Sequence, residues 1–251
     1  MECEDFQKKD EKDIDLSNLQ AFVGKQISNA IKQIESYIAI GHYLNTGQLI
    51  PEFHGWPISP DLGVLIIKTI EANQYDLIIE FGSGASTWLI GQVQKNNKFQ
   101  HLAFDHLSEF WQKTKKQIES ADLTSVDLRL RPLKPYQSTN NQQYQYYDCQ
   151  ADLAEYAINF NQLGKRLLIL VDGPPVATGR HARYPALPFI LNHFPDADVD
   201  FILDDFIRQD EQQILQLWLE ELTVASVPHN YQIFRLEKDA CFLTISNTTI
   251  N

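Results

Sequence analysis

DLIIEFGSGASTWLIGQVQ, residues 76–94, runs from an apolar strand-like segment into a glycine turn and on into a stretch of helical length. The run Leu77 to Phe81 is short and apolar but for Glu80, as for a strand covered on both faces. Gly82, Ser83 and Gly84 then turn the chain, and Ser86 and Thr87 open the helix that follows. Glycines at such a turn let the backbone bend sharply and let a ligand come close, because no Cβ intervenes. A tight strand-to-helix turn with no ligand has the same appearance, so the meaning of these glycines depends on their surroundings.

Twenty-one residues beyond Gly84, the next apolar run ends on Asp105. From that position an α/β nucleotide-binding fold holds a ribose through both hydroxyls. A dinucleotide fingerprint would place a third glycine where Thr87 stands, and a pyrophosphate is a poor neighbour for Glu80. A cationic ligand suits that carboxylate better. Further runs at His101 to Phe104, Val126 to Leu130, Leu167 to Val171 and Asp200 to Asp204 alternate with helical segments, the pattern of βα units around a parallel sheet. Tyr231 to Leu236 and Cys241 to Ser246 are close enough to pair as a hairpin, which makes the end of the sheet antiparallel. The Gln-, Asn- and Tyr-rich segment Gln137 to Tyr147 interrupts the alternation as a loop or hairpin extension.

Upstream, Leu16, Leu19, Phe22, Val23, Ile27, Ile31, Ile34 and Ile38 recur at helical spacing, and Gly41 is expected to end that helix. Its apolar stripe is expected to be buried, either on its own sheet or across a homodimer. Ser59 or Asp61 caps a second helix. We therefore divide the chain into a helical extension and loop, residues 1–57, and an α/β domain, residues 58–251.

The 251 residues carry 21 basic and 33 acidic side chains, a net charge of −12, which argues against general nucleic-acid binding and against a polybasic membrane surface. Three widely spaced cysteines suggest neither a disulfide framework nor a Cys-based zinc site, so a cytoplasmic location is expected. No stretch approaches the roughly 18 apolar residues of a membrane span.

Glu80-Phe81-Gly82-Ser83-Gly84 resembles the acidic-x-G-x-G motif of the class I S-adenosylmethionine-dependent methyltransferases. The resemblance covers roughly Ile58 to Ser246. It extends to LILVDGPPVATGRHARYPALPFI and FILDDFIRQDEQQILQLW, which are similar to the VDGPPG, RYPALP and LDD stretches of a bacterial branch often found beside glycosyltransferases. The resemblance implies a Rossmann-like, seven-stranded sheet in the order 3-2-1-4-5-7-6, with helices on both faces. It implies that Gly82, Ser83, Gly84 and the helix opening at Ser86 and Thr87 surround the cofactor, that Glu80 lies near its amino group, and that Asp105 holds its ribose. It also puts Trp56 and Ser59 at the cofactor mouth, with plain packing as the alternative for Trp56. Asp148 is placed at the adenine, and an ordinary helix N-cap is the alternative there.

Asp172 follows one strand and Asp204 with Asp205 the next, so three carboxylates converge at the carboxyl edge where open α/β sheets bind ligands. Such a cluster needs a proton, an Arg or Lys partner, or a hard divalent cation, for which Mg²⁺ is the natural candidate. Helix capping and turn closure are the plainer roles for the same three residues. The arrangement resembles the metal-dependent O-methyltransferases, including macrocin-type enzymes that act on sugar hydroxyls. That likeness implies a small-molecule or saccharide acceptor, a proton accepted by Asp172 or else by His181, and acceptor or lid contacts from Arg183 and Tyr184. Tyr184 also reads as a packing residue at a helix start. A noncatalytic cofactor-binding protein and a nicotinamide-linked oxidoreductase are the competing readings.

Overall fold

The computed structural model describes residues 16–53, 55, 57–138, 141–160 and 164–246. Two helices, α1 (Leu16–Leu44) and α2 (Pro60–Ala72), precede the alternating region. There follow β1 (Leu77–Phe81), α3 (Ala85–Gln94), β2 (Gln100–Asp105), α4 (Ser108–Ser120) and β3 (Val126–Leu130). A separate hairpin, β4 (Leu133–Gln137) with β5 (Gln143–Tyr147), leads to α5 (Gln150–Phe160) and β6 (Arg166–Val171). The last elements are α6 (Ala186–His193), β7 (Asp198–Leu203), α7 (Gln209–Val224), β8 (His229–Phe234) and β9 (Ala240–Ile245).

The main sheet has the order β3-β2-β1-β6-β7-β9-β8. With the hairpin strands set aside, this is the expected 3-2-1-4-5-7-6. Neighbours from β3 to β7 pair in parallel, and β9 runs antiparallel to both β7 and β8. Every residue of β1 is buried, because it lies centrally with helices on both faces. Successive side chains take opposite faces. Leu77, Ile79 and Phe81 join the core formed with α5, α6 and α7, and Ile78 joins the one formed with α2, α3 and α4.

The Gln- and Tyr-rich segment is the second strand of the hairpin and the turn before it. In β5, Tyr144 and Tyr146 are buried while Gln143 and Gln145 are exposed, so a composition that reads as low complexity is a period-2 amphipathic strand. The rings of Tyr146 and Tyr147 lie 5.3 and 5.8 Å from that of Phe81 and roof the end of β1.

Gly41 does not end α1, which continues to Leu44. Asn45 ends it, with φ 42° and its N–H donating to the Gly41 carbonyl at 3.0 Å. Gly41 instead leaves room for the returning loop, since a Cβ there would lie 3.0 Å from Ile50 Cδ1. Nor does the apolar stripe of α1 reach the sheet. Ile40 is buried, but Ile27, Ile31, Ile34 and Ile38 are more than half exposed. The helix is held through its other face, by Lys32 to Asp61 on α2 at 2.9 Å and by Asn29 to Glu237. Cys149 and Cys241 are buried and free, and no helix among the described residues is long and apolar enough to cross a membrane.

Candidate functional site

A cleft of about 760 Å³ opens at the carboxyl ends of β1, β2 and β6, within the size range of small-molecule sites. One end is built by the glycine turn. Gly82 and Gly84 have φ of 106° and 158°, which side-chain-bearing residues adopt only with strain. Their reasons differ. A Cβ on Gly84 would meet nothing within 4 Å and would project into open space, whereas one on Gly82 would lie 3.1 Å from the Gly173 nitrogen. Ser83 Oγ donates to Asp105 Oδ2 at 2.6 Å, and the Leu107 N–H donates to Oδ1 at 2.9 Å, so the carboxylate at the end of β2 is aimed from both sides. Ser86, in the first turn of α3, also lines the cleft.

At the other end, Asp172 follows β6 while Asp204 and Asp205 follow β7, and one carboxylate oxygen from each lies within 4.8 Å of the others. Arg183 is inserted among them. Its Nη2 reaches Asp205 Oδ2 at 2.8 Å, Asp172 Oδ1 at 3.2 Å and the Asp172 carbonyl at 2.7 Å, while Nη1 donates to the Asp204 carbonyl at 3.0 Å. Arg208 adds a second contact to Asp205 at 2.9 Å. This charge does not fully relieve the cluster. Loss of hydration pushes the Asp172 carboxyl up to about 6, with Arg183 opposing the rise and Asp205 adding to it. Burial, Asp172 and Asp205 raise Asp204 well above the usual carboxylate range. Asp204 Oδ1 accepts the Asp205 N–H at 2.7 Å, and its buried Oδ2 has no hydrogen-bond partner among the described residues. An oxygen-only donor set with one unpartnered carboxylate oxygen fits a hard divalent cation.

No protein-family model matches the sequence, and no curated protein matches it significantly. Solved structures do match. The delta-N METTL16 MTase domain aligns with 86% of this chain and 96% of its own, at 15% identity and a TM-score of 0.56. An O-methyltransferase from Bacillus cereus in complex with SAH aligns over 84% and 90%, at 13% identity and a TM-score of 0.54. The SAH-bound Podospora anserina methyltransferase PaMTH1 aligns over 83% and 86%, at 12% identity and a TM-score of 0.54. The fold is that of the class I methyltransferases.

Within this fold, Gly82, Ser83, Gly84, Ser86, Asp105, Asp172, Arg183 and Asp205 line one cleft. Other expected site residues do not line it. Glu80 shares the Ile78 side of β1, and its carboxylate meets His101 Nε2 of β2 at 2.6 Å with both side chains fully buried. Thr87 Oγ1 accepts the Gly84 N–H at 3.1 Å and so fixes the turn from beneath. Ser59 donates to Asp61 at 2.6 Å, and Asp148 pairs with Lys134 at 2.6 Å on the hairpin surface. Asp204 lies buried just behind the lining. Trp56 falls outside the described residues.

The two remaining expectations are corrected by packing. His181 is turned onto α7, where its Nε2 lies 2.8 Å from Gln213 Oε1 and its N–H donates to Asp210 at 2.8 Å. Tyr184 is a core residue: its ring stacks on Tyr144 at 4.8 Å, its hydroxyl bonds Glu221, and its carbonyl accepts the Trp218 indole N–H at 2.8 Å. Sequence reasoning missed His106, Phe110, Lys113 and Gln117, which wall the outer cleft from the segment after β2. Their spacing of four, three and four residues from His106 onward is the signal that could have found them. Lys238, from the β8–β9 turn, lines the cleft without any local signal of its role.

Proposed function

We propose that the chain is an S-adenosylmethionine-dependent O-methyltransferase acting on a hydroxyl of a sugar or saccharide-like small molecule, with a divalent cation, Mg²⁺, at the acidic end of the cleft. The observation that supports this most is the continuity of one cleft from the Gly84 turn and Asp105 to the carboxylates of Asp172 and Asp205. The METTL16, Bacillus cereus and Podospora anserina relatives are methyltransferases by their printed descriptions, and two of them hold SAH.

In this reading the open side of Gly84 receives the methionine part of the cofactor, and Asp105, aimed by Ser83 and Leu107, accepts hydrogen bonds from the ribose hydroxyls. When bound, the cofactor would supply a methyl group on a positively charged sulfur, and an acceptor oxygen in line with the S–CH3 bond would take the methyl while neutral S-adenosylhomocysteine leaves with the electron pair of the broken bond. Asp172 faces that nucleophile from the cleft wall, and its raised affinity for a proton suits it to take the hydroxyl proton. Arg183 holds the Asp172 and Asp205 carboxylates in fixed geometry, so positioning rather than reorganisation carries much of the acceleration. Asp172, Asp204 and Asp205 would hold the cation, which lowers the pKa of a coordinated hydroxyl. The nicotinamide alternative is disfavoured because Thr87 fills the place of a third glycine and is fully buried.

The decisive experiment is thermal stabilisation by S-adenosylhomocysteine and by NAD, since a ligand at 100 times its Kd adds about 2.7 kcal/mol. Stabilisation by the first alone supports the reading, and stabilisation by NAD alone refutes it. Transfer of a labelled methyl group to a panel of saccharide acceptors then tests the acceptor class.

A further inference from the structure

The N-terminal helix presents a large uncovered surface. Leu19, Phe22, Val23, Ile27, Ile31, Ile34 and Ile38 of α1 are each between 44% and 64% exposed. Residues 18–28 are exposed throughout, so this part of the helix stands clear of the domain. A helix of about three turns is not stable alone in water, and its persistence requires a surface to pack on.

The layout of the stripe identifies that surface. Ile27, Ile31, Ile34 and Ile38 are spaced 4, 3 and 4 residues apart, a sequence of intervals that reads the same in both directions. Two copies laid antiparallel therefore match without offset: Ile27 meets the partner's Ile38, and Ile31 meets the partner's Ile34. A two-fold interface requires this self-complementarity, in which residue i touches j and j touches i. The 3-4 alternation is also the spacing that keeps two helices in register along a shared seam.

Area and charge agree. Val23 and the four isoleucines, which share one side of the helix, offer roughly 500 Å² per copy before their neighbours are counted, more than half of the roughly 800 Å² each partner gives in a standard interface. The stripe holds no charged residue, and Lys25, Lys32 and Glu35 lie on the other sides of the helix. A helix seated on an anionic bilayer carries a polar face rich in Lys and Arg, whereas the polar side of α1 is nearly neutral and the whole chain is at −12. We propose that α1 pairs with α1 of a second copy in an antiparallel two-fold dimer, through the stripe centred between Ile31 and Ile34.

Sedimentation of the full chain in 0.15 and 0.5 M salt tests this. The expected result is a mass of twice 28.9 kDa, with tighter association at the higher salt as repulsion between two acidic domains is screened. The double variant I31E/I34E should sediment at half that mass and keep the thermal stabilisation given by S-adenosylhomocysteine, since neither position touches the cleft. Orientation is read by disulfide formation in a Cys3→Ser background. A mixture of I27C and I38C should cross-link, and I27C alone should not. A monomeric wild type, a double variant that stays dimeric, cross-linking of I27C to itself, or binding of the wild type to vesicles at the expense of the dimer would each overturn the proposal.

Discussion

Gly82 and Gly173 touch through their backbones: a Cβ on Gly82 would lie 3.1 Å from the Gly173 nitrogen, and one on Gly173 would lie 3.2 Å from the Gly82 Cα. The turns after β1 and β6 are thereby locked together at the middle of the cleft. Alanine at position 173 would also place its Cβ 2.3 Å from Tyr147 Oη, so Gly173→Ala should destabilise the fold by about 1–3 kcal/mol. Gly84→Ala should act differently, weakening S-adenosylhomocysteine binding by more than it lowers the melting temperature. Paired calorimetry and thermal melts separate the two effects, and equal losses in both variants would refute the distinction.

Asp105 is held by Ser83 Oγ and the Leu107 N–H. Asp105→Ala should abolish most of the stabilisation by S-adenosylhomocysteine, and Ser83→Ala should cost a smaller part, on the order of 1 kcal/mol for one hydrogen bond. Undiminished binding in the Asp105 variant, measured by calorimetry, would exclude the ribose assignment.

Arg183 is the buried counter-charge to Asp172 and Asp205. Removing it in Arg183→Met takes away the arginine partner of Asp172 and leaves Asp205 with Arg208 alone, and should destabilise the protein by about 3–5 kcal/mol. Asp204→Asn should be far milder toward folding, because the carboxyl oxygen it replaces has no partner. It should weaken the Mg²⁺ dependence of turnover and leave cofactor affinity unchanged. Full turnover after EDTA treatment, in wild type, would show that Arg183 and a proton neutralise the cluster unaided.

Asp61 joins three segments, accepting from Ser59, Lys32 and the Glu237 N–H. Burial pushes its carboxyl up, but the hydrogen bonds from Lys32, Ser59 and Gln33 outweigh this and hold it below the usual range. A carboxyl with a depressed folded-state pKa contributes stability above its unfolded value of about 3.9, and that contribution is lost as pH falls through the folded value. Wild type should therefore lose stability more steeply than Asp61→Asn below about pH 5, by denaturant melts at a series of pH values. Parallel curves for the two proteins would contradict the assignment.

The strands were legible because short, mostly apolar runs alternate with helical segments, and their order came from the resemblance carried by Glu80 to Gly84. Asp105 and Asp172 were legible because strand ends are fixed positions in such a sheet. Glu80 was not: a carboxylate next to a glycine turn looks the same whether it faces a ligand or, as here, His101 on the neighbouring strand. Tyr184, read both as an acceptor contact and as a packing residue, and His181, read as the alternative base, were left undecided for a related reason. Sequence shows that they follow the cleft loop, but only packing against Tyr144 and Gln213 decides which way each side chain turns. The stripe of α1 was read correctly as apolar, and its spacing alone does not reveal whether the domain itself covers it.

The position of β9 carries a consequence for biogenesis. It is the last strand in chain order, yet it lies inside the sheet, between β7 and β8. While residues up to Phe234 are emerging from a ribosome, the edge of β7, with Phe201 and Leu203 in it, has no neighbour on that side, and β8 has no strand to join. An unpaired apolar edge is a template for association with other chains. The sheet closes only when Ala240 to Ile245 enters between them, so the interval between synthesis of β7 and arrival of β9 is when that edge is open to wrong partners.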